Sequence, residues 1–483
     1  MQIRSLFLGA ALAAAALAGG CDKPAGGPIA VSAIGGPPEL ANPNSEPLDP
    51  PSALLTELTA QGLVRFDAAG QVEPALAQSW IVSDDGLRYT FRIARTAWSG
   101  GAPVTAQQVA ARLRAAIARG SRNPLKPILG AIAEVEAMTD NVLEIGLIAP
   151  RPNLLQLLAQ PEMAIVRNNA GAGPYRAEPR PDGALRLKLP EDEDGERPSS
   201  ETEIVLRGET APMAVARFER GLSDLVTGGT AGDLPVARAA APPAAAVRFD
   251  PVAGLFGLAF TRNAGPAANA DGRRALSMAV DRAALVAALR VPDLLPRETL
   301  AAPGIEELPA PALPAWAADP LPMRRATAAR LIAGAAGDRP LALRVAVPAG
   351  PGYRLIFAHL RRDWRAIGVD AAAVGPEAEA DLRLVDAVAP ANVATWYLRR
   401  FSCRSSLVCS AEADAALERV RTALTPAERH THLVEADRLL TELAPFIPLT
   451  APVRWSLVSP RLTGFQPNPF GRRFLGGLVA ARR

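Results

Sequence analysis

The stretch LALRVAVPAGPGYRLIFAHLRRDWRAIGVDAAAV, residues 341–374, decides the fold class. Leu341, Leu343, Val345 and Val347 recur at every second position, the period of a strand that buries one face. Ile356, Leu360, Trp364 and Ile367 then return at helical spacing and line one side of a helix. Gly368 stops that helix, and Val369–Val374 read as a second strand. A strand, a helix and a strand in this order form a βαβ unit, so the chain is expected to be α/β.

Working outward, Ala77–Val82 and Leu87–Ile93 flank Asp84-Asp85-Gly86, a hairpin turn. Thr105 caps the next helix and Gln108 completes its capping box, with Val109, Leu113, Ala116 and Ile117 facing inward. Val142–Ile148 is strand-like, and Gly171-Ala172-Gly173-Pro174-Tyr175 is a tight turn into another strand. Residues 181–200 are polar and acidic, a hairpin or loop. Phe218–Val226 reads as a helix end, a turn at Gly221 and a strand. Leu255–Phe260 is apolar, Arg273–Val280 helical, and Asp281 caps Arg282–Leu289. Prolines crowd residues 292–322, which are expected to form an extended surface crossing. Thr425-Pro426-Ala427-Glu428 starts a helix whose Leu433, Ala436, Leu440 and Leu443 face inward, and Pro445 ends it.

A length of 483 residues implies two to three domains. The net charge of +3 is too close to neutral for a nucleic-acid partner, and no basic patch is interleaved with aromatics. Lysine occurs only at Lys23, Lys126 and Lys188, so arginine supplies nearly all of the positive charge. No Gly-x-Ser-x-Gly, Ser-x-x-Lys, phosphate-loop or His-Glu-x-x-His motif is present, and no enzyme activity or cofactor is expected. His430 and His432 point to different faces of a helix, His359 lies beside an apolar stripe, and no metal site is expected. Asp84 and Asp85 are turn carboxylates.

Residues 1–20 read as a signal peptide: Arg4, an apolar run from Leu6 to Ala18, then Gly19 and Gly20. They resemble a bacterial lipoprotein signal, which implies acylation of Cys21. Ala18 stands where such signals usually carry leucine, and plain secretion is the alternative. Residues 21–30 would be a tether. In an oxidising compartment Cys403 and Cys409, with five residues between them, are expected to form a disulfide, with two free thiols as the alternative. No later run is long and apolar enough to span a bilayer.

Taken in order, these features resemble the family 5 solute-binding proteins, the peptide and oligopeptide receptors of bacterial ABC importers. The matching stretches are Leu48-Asp49-Pro50, Pro74–Trp80, Ser83–Phe91, Trp98–Ala106, Gly173-Pro174-Tyr175, Arg273–Arg282, the βαβ unit and Pro445–Leu449. Gly101, Ala172 and Gln107-Gln108 depart from the family's usual turn and cap residues. A larger departure lies at 386–397, where peptide-binding relatives often carry an aspartate for the peptide's amino terminus. Here Asp386 alone is acidic, and it sits early.

The resemblance implies a two-lobed periplasmic binding protein fold of the class II, cluster C type, with an extra subdomain in lobe I. Lobe I is expected at 31–250 with 454–483 returning to it, and lobe II at 251–453. Asp386, Trp396, Tyr397 and Arg404 are the candidate ligand-binding residues, with Trp396 and Tyr397 open between ligand contact and packing. The implied receptor is a monomer tethered by lipid to the cell envelope, not spanning it. It would close by hinge motion on a peptide or peptide-like solute and deliver it to ABC permease subunits in the inner membrane. An envelope-anchored scaffold or chaperone that keeps the fold without transporting is the alternative.

Overall fold

The protein is described by a computed structural model covering residues 27–191, 202–336 and 341–480. The expected signal peptide, Cys21 with most of its tether, and residues 192–201 of the acidic stretch lie outside the described residues.

The βαβ reading holds. Leu341–Ala346 runs parallel to Val369–Val374, in register from Leu341↔Val369 to Ala346↔Val374. The helix Pro351–Arg365 connects them. Gly368 follows it at φ +82°, a left-handed conformation in which a Cβ is costly. Trp364 is fully buried and donates its Nε1–H to Leu276 O at 2.9 Å. These two strands belong to a five-stranded sheet ordered Val369–Val374, Leu341–Ala346, Leu382–Val388, Gly254–Phe260, Phe446–Thr450.

A second, seven-stranded sheet is ordered Val247–Phe249, Arg454–Val458, Leu225–Thr230, Ile29–Ile34, Ile204–Glu209, Leu185–Lys188, Arg176–Pro179. The chain leaves it after Phe249 and returns at Arg454, so residues 250–253 and 451–453 connect the two sheets. The two connections lie together, with Asp250 N donating to Arg454 O at 3.0 Å. One apolar core runs through the junction, joining Val226 and Trp455 of the seven-stranded side to Phe256 and Trp364 of the other.

A third sheet, Ala77–Val82, Arg88–Ile93, Val142–Leu147, Ile132–Ala137, is antiparallel and forms a subdomain with an apolar core of its own. Tyr89, Phe91 and Ile93 are buried, as their alternation requires. Asp85 accepts from Ser83 Oγ at 2.5 Å and Leu87 N at 3.0 Å, which is turn chemistry. The capping box of Ala106–Ile117 is formed, and Gln108 Oε1 also accepts from Trp98 Nε1 at 2.8 Å.

Two expectations are corrected. The helix expected from Arg273 runs Ala270–Met278, because Asn269 Oδ1 accepts from Gly272 N at 2.8 Å and caps it early. The proline-rich stretch is no surface crossing. Leu300, Ala301, Ile305, Leu308 and Trp316 are buried, so apolar anchors between the prolines pull it into the five-stranded lobe. Trp316 is met there by the guanidiniums of Arg282 and Arg324, each 5.5 Å from its ring centre.

Arg282 is itself 2% exposed. It donates to Pro448 O at 2.8 Å, Arg297 O at 3.1 Å, Ser277 O at 3.0 Å and Ser277 Oγ at 2.8 Å. These bonds staple the helix, the proline-rich stretch and the last strand of the lobe together. Among the described residues no helix is long and apolar enough to cross a membrane.

Candidate functional site at the lobe junction

Asp386 lies on the strand Leu382–Val388, opposite Phe256 of the neighbouring strand. Its side chain is 8% exposed and has two partners. Tyr353 Oη donates to Oδ2 at 2.7 Å, and Arg454 Nη1 donates to Oδ1 at 2.7 Å. Tyr353 opens the helix of the βαβ unit, whereas Arg454 opens the strand that returns to the seven-stranded sheet. The carboxylate therefore ties the two lobes at the point where the chain crosses. Burial, and after it the Asp386 charge, pushes the Tyr353 phenol well above its ordinary range.

Beside this network the lobes meet backbone to backbone, Gly352 N donating to Gly232 O at 2.9 Å. A Cβ on Gly352 would fall 1.9 Å from Ala231 O, and one on Gly232 would fall 2.3 Å from the Tyr353 ring. Both positions need glycine.

The segment after the strand enters lobe I. Ala391 is buried in the subdomain core. Gln160 Nε2 donates to Pro390 O at 2.5 Å and Asn153 Nδ2 to Asn392 O at 3.0 Å. Gln160 Oε1 in turn accepts from Arg472 Nε at 3.0 Å, and Arg472 pairs with Glu162 at 2.8 Å. Near this pair, burial pushes the Glu57 carboxyl up to about 8, against the pull of Arg472. Further along the seam, Arg429 Nη2 donates to Pro150 O at 2.5 Å and Arg151 Nη2 to Arg421 O at 2.7 Å. The sequence reading missed these residues. One signal was available: Gln156 and Gln160 stand four apart in an otherwise apolar run.

Trp396 borders a groove of about 520 Å³ between the lobes. The groove is lined by Pro124, Pro127 and Ile128 of lobe I and by Phe260, Arg383 and Arg400 of lobe II. Trp396 meets Tyr397 edge to face at 4.9 Å. Tyr397 is 1% exposed and packs among Leu398, Phe401 and Phe446, and burial pushes its phenol up to about 12. Of the two aromatic candidates Tyr397 is thus a packing residue, because its side chain turns into the lobe and away from the groove.

Cys403 and Cys409 are joined, with their Cα atoms 5.0 Å apart. Their loop places Ser405, Ser406 and Leu407 on the groove wall. Arg404 is exposed on that loop and is not part of the wall. The structure therefore brings Trp396 and the disulfide loop together, and leaves Asp386 committed to protein partners elsewhere in the junction.

No group of three or more His, Cys, Asp or Glu is placed so that it could hold a metal ion among the described residues. His430 Nδ1 lies 3.0 Å from Glu307 O, and His432 Nδ1 3.7 Å from Glu435.

Residues 71–399 match the family described as bacterial extracellular solute-binding proteins, family 5 Middle. The chain is 30% identical over 191 residues to the probable deoxycholate-binding periplasmic protein YgiS of Escherichia coli. That alignment covers 34% of this chain and 35% of the relative, so the match spans about a third of that protein's length.

Haemophilus influenzae OppA in complex with RPPGFSPFR superposes with a TM-score of 0.82 at 19% identity, over 94% of this chain and 99% of that one. The murein tripeptide binding protein MppA of Escherichia coli superposes with a TM-score of 0.81 at 19% identity, over 95% and 99%. Its unliganded open form gives 0.66 over the same shares of the two chains. The architecture is thus the two-lobed α/β fold of these binding proteins. With the family description matching most of its length, the chain belongs to the family 5 bacterial extracellular solute-binding proteins.

Proposed function

We propose that this protein is the receptor of an ABC importer for peptides or peptide-like solutes. It closes by hinge motion about the two crossings at 250–253 and 451–453 and delivers its ligand to permease subunits in the inner membrane. Cys21 would carry the lipid that tethers the mature chain, as a monomer, to the envelope.

One observation carries the reading: two α/β lobes are joined by two adjacent connections and share a polar seam bordered by a groove large enough for a short peptide. Most bonds across the seam end on backbone carbonyls, which exchange readily with other donors and suit a joint that opens. The relatives above are named for a peptide, a murein tripeptide and deoxycholate, and peptide-sized organic solutes are the first class to test.

Native mass spectrometry of the mature protein isolated from its own envelope fraction tests the proposal. A defined co-purified solute, whose removal and return reversibly change the radius of gyration, is the expected result. A protein that is always empty and whose radius responds to no peptide would overturn it and favour the scaffold alternative. Mass analysis of the N-terminal peptide checks acylation at Cys21.

A further inference from the structure

We infer that the groove beside the disulfide loop recognises a carboxylate on an otherwise apolar solute. The inference rests on the receptor reading above and narrows its substrate class.

Three arginines, Arg383, Arg399 and Arg400, line the groove, and none of its lining residues is acidic. Arg399 spends one nitrogen on Leu417 O at 2.8 Å, with Glu418 and Asp414 nearby but outside the groove lining. Arg383 makes one long bond, 3.5 Å to Ala378 O. The Arg400 side chain has no hydrogen bond or ion pair with any described residue, and none of the three has a salt-bridge partner within 4.0 Å among them. Guanidinium groups match carboxylates in geometry, and such bonds are among the strongest a protein offers a ligand.

The apolar half of the site is equally defined. Trp396, Phe260 and Pro127 face the same space, which favours a solute whose anionic end adjoins a hydrocarbon or aromatic body. The opposite preference has no support in this stretch. From 386 to 400 the only carboxylate is Asp386, and Arg454 already neutralises it. A cationic ligand end would find no free counter-charge there.

The carboxylate could belong to a peptide C-terminus or to an amphiphilic acid, and the test separates the two. Calorimetry would compare tri-alanine with tri-alanine amide, and octanoate with octan-1-ol, on the parent protein and on an Arg383→Ala/Arg400→Ala double variant. Thermal melts verify that the variant folds, and Arg383→Lys serves as the conservative control.

We expect the acid of at least one pair to bind roughly tenfold or more tightly than its neutral partner. The double variant should lose that difference and Arg383→Lys should keep part of it. The pair that discriminates names the source. Equal or absent binding within both pairs, or a preference that survives in the double variant, overturns the inference. A co-purified solute without an acidic group would also overturn it while leaving the receptor reading intact.

Discussion

Arg472 donates its Nε–H to Gln160 Oε1 at 3.0 Å, and that bond decides which way round the Gln160 amide sits. With the oxygen engaged inside lobe I, the nitrogen must face Pro390 O across the seam. A guanidinium whose bonds among the described residues go to Gln160 and Glu162, both in lobe I, thereby sets one of the bonds holding the lobes together.

Gln160→Leu should therefore loosen the docking of residues 390–393. Amide hydrogen exchange at Asn392 and Val393 is expected to rise about tenfold, the worth of one lost hydrogen bond, while amides within the two large sheets keep their protection. Unchanged exchange in that segment would remove the strut from the account.

Asp386→Asn tests the tie at the crossing. The amide retains an acceptor but cannot balance the Arg454 charge, which is itself only 19% exposed. A stability loss of about 2–4 kcal/mol is expected, seen as a clear fall in melting temperature. A variant that melts like the parent but binds solute poorly would return Asp386 to the ligand site.

Arg282→Met removes a buried cation along with its bonds to four carbonyls and a hydroxyl. Burial draws this guanidinium down to about 10, yet it remains charged at neutral pH. Leaving those acceptors without donors should cost about 3 kcal/mol or more in chemical unfolding. A loss below about 1 kcal/mol would show that the staple is dispensable.

Asp437 gives stability a pH dependence. It is 1% exposed, and burial raises it from 3.8 to about 6, although Ala312 N donates to it at 2.6 Å. The folded chain thus holds this proton more tightly than the unfolded chain does. The associated stability is complete below about pH 4 and is lost as pH rises to about 6. Asp437→Asn keeps an acceptor for Ala312 N and removes the titration. The difference in unfolding free energy between pH 4 and pH 7 should shrink by on the order of 2 kcal/mol relative to the parent. The comparison must be with the parent, because Glu57 contributes a loss of the same sign extending to about pH 8.

Local chemistry was the legible part of the sequence. The Asp84-Asp85-Gly86 turn, the two capping boxes and the stop at Gly368 each rest on neighbours within a few positions, so their residues announce them. The proline-rich stretch misled because prolines report an extended backbone and say nothing of where Trp316 finds its pocket. The partners of Asp386 were illegible for a similar reason. They lie 33 and 68 positions away, a distance at which periodicity carries no information. Trp396 and Tyr397 are adjacent on one short helix, and only the packing shows that one faces the groove and the other the core.

Strand Arg454–Val458 sits inside the seven-stranded sheet, between Leu225–Thr230 and Val247–Phe249. During synthesis this strand emerges after every strand of the five-stranded sheet has appeared. The half of the molecule begun first is therefore the half completed last, since its sheet stays split until the final pairing closes it. Loop-closure entropy makes that long-range step the slow one, and the inserted half is free to mature beforehand.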